Sequence, residues 1–346
     1  MDAEVDSNAV GKCWEVLPEV SRSFALCIRI LPKPLDEQMM ISYLAYRVID
    51  TIEDSSASLA RKKAQFSKFL GLLSGNAVDA EETMKVRGEF LAGLDCTYEK
   101  KLLFVLEKLV AAYYMQPALV RRSILKWGNK MAGGMCKFQN RQIRTFHDQN
   151  SYSYYVAGVV GYLFNDLLYY NGIIGKRLQK RLHGYARKFG LALQKVNILR
   201  DVAADIMSGR KYWPEKLMEK YGLDYASILL EKNREKALLV LRAEIENARK
   251  YLDAGIRYVL SLPKNATRVR MFCLIPLFMA IESYAKCMDN WEIFRAGTTV
   301  KIGRMKVQEI VAKATLWAAS DERIAQWFSE SVSARGFASP SIAPAR

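Results

Sequence analysis

Asp50, Glu53 and Asp54 close a helical stretch that is otherwise largely apolar from Met39 to Ile49. On a helix these positions are i, i+3 and i+4, so the three carboxylates share one face. Tyr43 and Arg47 extend that stripe backwards. Negative charge at the end of a helix opposes the macrodipole. A divalent cation would compensate it, and Mg²⁺ favours carboxylate oxygens completed by water and substrate phosphate. The plainer reading is a solvated helix end, with Asp54 or Ser55 capping the next helix. A second set of residues tips the balance. Gln194, Asn197, Asp201 and Asp205 are spaced three, four and four, a continuous polar stripe backed by Leu191, Val196, Ile198, Leu199 and Val202. If the two stripes face a shared cavity, they can hold several Mg²⁺ ions between them. A diphosphate held this way becomes a good leaving group, because the metals stabilise the charge that develops on it. Apolar helices would wall the remaining cavity, which suits a hydrocarbon chain and a carbocation.

Cations suited to phosphate lie beside both stripes: Arg47 three residues before Asp50, Arg200 next to Asp201, and Arg210 and Lys211 after Asp205. Each could equally be an ordinary salt bridge to its neighbour. A third constellation runs from Tyr152 to Gly161. Its tyrosines could serve a proton step or face a cation with their π surface. Its small residues Ala157, Gly158 and Gly161 would let another backbone or a ligand approach, as they would in a tightly packed core helix. His147 and His183 have no partner at ligand spacing and receive no role.

Almost every segment between these residues has helical period, and no convincing alternating strand is present. The pattern predicts an all-α chain, with helices over 9–30 (broken by Pro18), 36–54, 58–74, 80–93, 98–114 and 118–145. Further helices follow over 151–171, 176–208, a short one from Pro214, 224–230, 233–261, 265–289 (kinked at Pro276) and 304–330. No linker separates two domains, so one domain is expected over 1–332, with a disordered tail over 333–346.

The 346 residues include 51% hydrophobic types, enough for a sizeable core, and carry a formal net charge of +16. That charge attracts polyanions. No zinc-finger spacing, RNP-type aromatic motif or basic recognition helix is present, so a nucleic-acid partner is not expected. The six cysteines are scattered without CxxC and read as reduced core residues of a cytoplasmic protein. The acidic start excludes a signal peptide, and no apolar run is long enough to span a bilayer.

Together these motifs resemble the squalene/phytoene synthase family, from Ser21 to about Asn290. The resemblance rests on Ser21-Arg22-Ser23-Phe24, Asp50-Thr-Ile-Glu53-Asp54, Tyr152-x-Tyr-Tyr-Val-Ala-Gly and Gln194-x-x-Asn197-x-x-Arg200-Asp201-x-x-x-Asp205. The first acidic motif, Tyr212-Trp213-Pro214 and the segment Phe272–Ile281 look more like the squalene branch than the phytoene branch. The resemblance implies a single-domain isoprenoid (terpenoid) synthase fold, with helices around a central active-site cavity. It implies two farnesyl diphosphates, Mg²⁺ and NADPH: condensation to presqualene diphosphate, then reduction to squalene. The relatives that lack the NADPH step make presqualene diphosphate, dehydrosqualene or phytoene instead.

Carried over, Asp50, Glu53, Asp54, Asn197, Asp201 and Asp205 hold metal, and Tyr152 is the candidate for the proton step. Ser21, Ser23, Phe24, Tyr43, Arg47, Gln194, Asn197, Arg210 and Tyr212 bind substrate. Arg22, Arg47, Arg200, Lys301 and Arg304 bind NADPH. Two departures stand out. The second acidic motif is Asp201-Val-Ala-Ala-Asp205 rather than DYxED, and the late basic motif is Lys301-Ile-Gly-Arg304, its arginine shifted by one. The anchor helix of eukaryotic members is missing. That suggests a bacterial-type or archaeal-type enzyme or a truncated chain; a cytoplasmic monomer is expected, at most peripheral to the membrane face and with no transmembrane anchor in this chain. Lys176-Arg177 with Lys180-Arg181 is one patch that could meet a bilayer.

Overall fold

The computed structural model describes the backbone of residues 3–91 and 97–334 and the side chains of 8–21, 23–91 and 100–334. The chain falls into two compact units, Met1–Asn140 with Leu163–Gly175 and Arg141–Tyr162 with Lys176–Arg346. The first holds α1 (Ala3–Val20), α2 (Arg22–Ile30), α3 (Leu35–Asp54), α4 (Leu59–Ser74), α5 (Ala80–Leu91), α6 (Thr97–Leu103), α7 (Leu106–Tyr114) and α8 (Ala118–Phe138). The second holds α9 (Phe146–Ser153) and a π-helical turn (Tyr154–Gly158). From the turn springs α10 (Val159–Tyr170), whose later part belongs to the first unit. The second unit continues with α11 (Lys176–Arg200), α12 (Val202–Met207), α13 (Glu215–Lys220), α14 (Arg234–Arg249), α15 (Leu252–Ser261), α16 (Thr267–Cys287), α17 (Arg304–Trp317) and α18 (Asp321–Ser333). No strand occurs among the described residues. The tail expected over 333–346 lies, from 335 onwards, outside them.

Helix α3 is the core element of the first unit and packs on α1, α2, α4, α6, α7 and α8. Asp36 and Glu37 sit in its first turn, where they favour the macrodipole. From Gln38 to Glu53 every residue is buried except Tyr43, Arg47, Asp50 and Glu53. Gly128 of α8 lets the Tyr46 ring and Leu70 close in, and Tyr46 Oη donates to the carbonyl of Ile124 at 3.1 Å.

In the second unit α11 packs on α9, the π turn, α14, α15 and α16. The approach to the preceding segment is very close. A Cβ added at Gly190 would stand 2.4 Å from the carbonyl oxygen of Ala157, and one at Gly161 2.4 Å from that of Ala186. Glycine is required at both crossings by lack of space, not by a positive φ. The small residues Ala157, Gly158 and Gly161 thus serve backbone packing.

Boundaries differ from the periodic reading in instructive ways. The first break falls at Ser21, which caps α2 by accepting from Phe24 N at 3.3 Å, while α1 runs through Pro18. The stretch 118–145 stops at Phe138, because Thr145 and Asp148 form a reciprocal capping box that starts α9. The 151–171 helix contains the π turn, and 176–208 is interrupted at Asp201. Ser58, rather than Asp54 or Ser55, caps α4.

Candidate active site

The first carboxylate set lies in the last turn of α3. Its stripe is the part of that helix left uncovered by packing, since the other side chains around it are buried. Arg47 Nη1 reaches Asp50 Oδ2 at 3.4 Å, with both side chains roughly a quarter exposed. The Tyr43 ring stacks on Phe24 at 5.5 Å between centroids, and its hydroxyl lies beside the Ser21 side chain. Burial raises the Tyr43 phenol above its ordinary range, against the pull of Ser21 and Arg47. The start of α2 and the stripe of α3 therefore form one connected surface through Ser21, Phe24, Tyr43, Arg47 and Asp50. Ser23 is exposed in the first turn of α2; the side chain of Arg22 lies outside the described residues. The positive partner that the end of α3 calls for is in part a protein cation. The nearly buried Lys62 of α4 donates from Nζ to the carbonyl of Glu53 at 2.5 Å. Sequence reasoning looked to a metal and to Arg47 there and missed Lys62, which nothing local marks.

The second set lies where α11 gives way to α12. Asp201 sits at the junction with φ −100° and ψ 12°, while the hydrogen bonds Asp201 N→Asn197 O and Asp205 N→Asp201 O, both 2.9 Å, carry the helical path across it. The junction keeps Asp201 and Asp205 on the line begun by Gln194 and Asn197. Arg200 grips Asp201 with two parallel bonds of 2.9 Å and donates to Asn197 Oδ1 at 3.3 Å. Arg210 Nε holds Asp205 Oδ1 at 3.1 Å, and its backbone N–H donates to the Asp205 carbonyl at 2.8 Å. The strap from Arg210 to Pro214 is pinned along its length. Trp213 is buried, with its indole N–H on the carbonyl of Ile198 at 3.0 Å, and Tyr225 Oη donates to the Trp213 carbonyl. The Tyr212 ring stacks on Tyr152 at 4.7 Å and 19°. Tyr152 is itself buried on α9.

Lys301 and Arg304 are exposed just before and at the start of α17. Lys286 Nζ donates to the Lys301 carbonyl, and the neighbouring Cys287 lies within electrostatic reach of Arg200 and Asp201. The Lys301 segment is thus tied to the turn of α16 that abuts the second set. Sequence reasoning missed the buried side chains behind this surface: Gln149 of α9, Lys195 of α11 and Glu244 of α14. One signal was available: helical period puts Lys195 on the apolar side of α11, with Leu191, Ile198 and Leu199.

Among the described residues no three His, Cys, Asp or Glu side chains converge on a ready-made metal cage. The donor chemistry nonetheless suits Mg²⁺, which takes one or two carboxylates together with water and substrate phosphate. For a nicotinamide dinucleotide the fit is one of charge: Lys301 and Arg304 are open cations, whereas Arg200 is engaged by Asp201.

The model of the squalene/phytoene synthase family matches residues 17–305. The chain belongs to that family. It is therefore a prenyl-transferring enzyme with the all-α isoprenoid synthase fold. Within the family it is 31% identical to the squalene synthase of Solanum lycopersicum over 297 residues, covering 85% of this chain and 68% of that one. It is 28% identical to the squalene synthase of Rattus norvegicus, covering 95% and 76%. Among solved structures, TcSQS in complex with the ligand E5700 superposes with a TM-score of 0.82 at 29% identity, over 94% of this chain and 92% of that one. A dehydrosqualene synthase superposes with a TM-score of 0.64 at 17% identity, over 92% of this chain and 100% of that one, which speaks to the fold alone. The family match contains both carboxylate sets, Tyr152, the strap and Lys301.

Proposed function

We propose that this family member is a squalene synthase, joining two farnesyl diphosphates head to head through presqualene diphosphate and reducing the product with NADPH. The observation that carries the reading is the selective exposure on α3: an otherwise buried helix leaves open the stripe of Tyr43, Arg47, Asp50 and Glu53. Its counterpart on α11 and α12 is built the same way, with Gln194, Asn197, Asp201 and Asp205 out of the core while Val196, Ile198, Leu199 and Val202 are in it. Asp50, Glu53 and Asp54 in the first unit, and Asn197, Asp201 and Asp205 in the second, are the residues that would hold Mg²⁺, which would supply the positive charge that makes diphosphate a leaving group. NADPH would supply hydride, with Arg22, Arg47, Arg200, Lys301 and Arg304 as the residues assigned to bind it.

The chain's own side chains do the rest. Arg47 beside Asp50 and Arg210 beside Asp205 are the cations that would bind diphosphate oxygens. Ser21, Ser23 and the Phe24–Tyr43 stack order the substrate at the start of α2. The buried Tyr152, backed by Tyr212, stands ready for the proton lost when the cyclopropane closes. The enzyme works as a cytoplasmic monomer that meets the membrane only peripherally.

The second reading, an enzyme that stops at presqualene diphosphate or makes dehydrosqualene or phytoene, is favoured by the arginine displaced to Arg304 and by Arg200 being engaged by Asp201. Incubation with farnesyl diphosphate and Mg²⁺, with and without NADPH, decides between them. Squalene should form only with NADPH. A hydrocarbon product indifferent to NADPH overturns the leading reading. Asp50→Asn and Asp201→Asn should each lower turnover by about a hundredfold or more; full activity in either would remove the metal role assigned to it.

A further inference from the structure

Behind Tyr152 and the second carboxylate set lies a buried polar group whose bonding is unusually specific. Gln149 on α9 is fully buried. Its Oε1 accepts from Lys195 Nζ, and its Nε2 donates to both carboxylate oxygens of Glu244, at 3.0 and 3.1 Å, and to the backbone carbonyl of Tyr212 at 3.1 Å. Lys195 and Glu244 are each 1% exposed. Burial pushes the Lys195 ammonium down and the Glu244 carboxyl up, and the attraction between them opposes both shifts.

The chemistry of the four groups explains why an amide stands at 149. A lysine ammonium only donates, while a carboxylate and a peptide carbonyl only accept. The residue among them must accept once and donate to both acceptors, which only an amide of this length does here. The same amide joins three elements and the strap. Lys195 stands between Gln194 and Asn197 on α11, Glu244 on α14, and Tyr152 three residues further along α9. Tyr212 presents its carbonyl to Gln149 and its ring to Tyr152.

We propose that Gln149 is a positioning residue for the prenyl transfer. It fixes the strap at Tyr212 and thereby seats the Tyr152 ring, with Lys195 and Glu244 locking the orientation of the amide. The inference rests on the function proposed above for the identity of the reaction. It does not rest on that function for the placement of the two rings.

A charge swap separates positioning from simple core stability. Gln149→Glu keeps an acceptor for Lys195 but sets one carboxylate against another and removes the donor to the Tyr212 carbonyl. Adding Glu244→Gln restores the charge balance and a donor–acceptor pair between 149 and 244, yet the Tyr212 carbonyl still receives no proton from 149. The double variant should regain the thermal stability that the single variant loses. Its kcat should remain about ten- to a hundredfold below that of the parent, with KM within about twofold. In its crystal structure the Tyr152 and Tyr212 centroids should stand farther apart than 4.7 Å. Parental kcat in the stable double variant, or an undisturbed ring pair, overturns the proposal. Gln149→Asn, which keeps the amide but shortens its reach, serves with the same readouts and the same criteria if the double variant does not fold. If the parent enzyme releases no diphosphate at all, the proposed function fails on its own account, and the ring separation still decides the role of Gln149.

Discussion

At the scale of single residues, the acidic motifs survive in a half-buried setting because cations answer them. Asp50 has Arg47, Asp201 has Arg200 and Asp205 has Arg210. These pairs are partly exposed, and such pairs contribute only ~0–1 kcal/mol. Asp50→Asn and Asp201→Asn should therefore lower unfolding free energy in urea by no more than about 1 kcal/mol, in contrast to their effect on turnover. The cysteines bear on a different question. Cys13, Cys27, Cys273 and Cys287 are buried, and Cys136 is partly exposed; Cys96 lies outside the described residues. Burial pushes the thiols of Cys13 and Cys27 up to about 12, so almost no thiolate exists at pH 8. Alkylation of the folded protein at pH 8, read by mass spectrometry, should label Cys136 well before Cys13 or Cys27, and denaturation should abolish the difference.

At the scale of elements, two contacts decide how rigidly α11 and α16 are held. Replacing Gly190 with alanine forces a methyl group against the Ala157 carbonyl, which only backbone movement can relieve. The expected cost is about 1–3 kcal/mol, typical of overpacking. Gly184, six residues earlier on the same helix, is exposed and has nothing within 4 Å of an added Cβ. Gly184→Ala should stabilise by ~0.5–1 kcal/mol through helix propensity alone. Opposite signs for the two substitutions in urea unfolding would verify the close crossing; equal signs would refute it. The second contact is the fully buried Arg270 of α16. Its Nη2 pairs with Asp321 in the first turn of α18, and Lys264 supports the same carboxylate at 3.2 Å. Asp321→Ala leaves a buried guanidinium without its carboxylate and should cost about 3 kcal/mol, checked by the shift of the urea midpoint.

At the scale of the whole molecule, the charge of +16 sets how the enzyme meets other surfaces. Among the described residues no helix is long and apolar enough to cross a membrane. The proposed peripheral contact rests on the charge and is electrostatic. Co-sedimentation with vesicles containing phosphatidylserine should occur at low ionic strength and fall away near 1 M salt, where the screening length drops to about 3 Å. Binding that persists there, or that neutral vesicles match, would point to apolar insertion instead. The charge also suits capture of a diphosphate, but it does not distinguish one isoprenoid from another.

The amino-acid sequence by itself determined the helical class, the two carboxylate stripes and the family, because each is written in local spacing. A three-and-four register places Asp50 with Glu53 and Asp54, and Asn197 with Asp201, whatever surrounds them. Helix ends were legible less often, since the capping box at Thr145, the π turn at Tyr154–Gly158 and the junction at Asp201 interrupt runs whose periodicity continues through them. Only the tertiary structure decided which polar side chains belong to the interior. Lys62, Lys195, Gln149 and Glu244 resemble surface residues one at a time. They are tolerated in the core because partners distant in sequence satisfy them: the carbonyl of Glu53 for Lys62, and the amide of Gln149 for both Lys195 and Glu244. Spacing along one helix can mark a face, as it does for Lys195 beside Leu191, Ile198 and Leu199, but it does not name the distant partner that makes a buried charge tolerable.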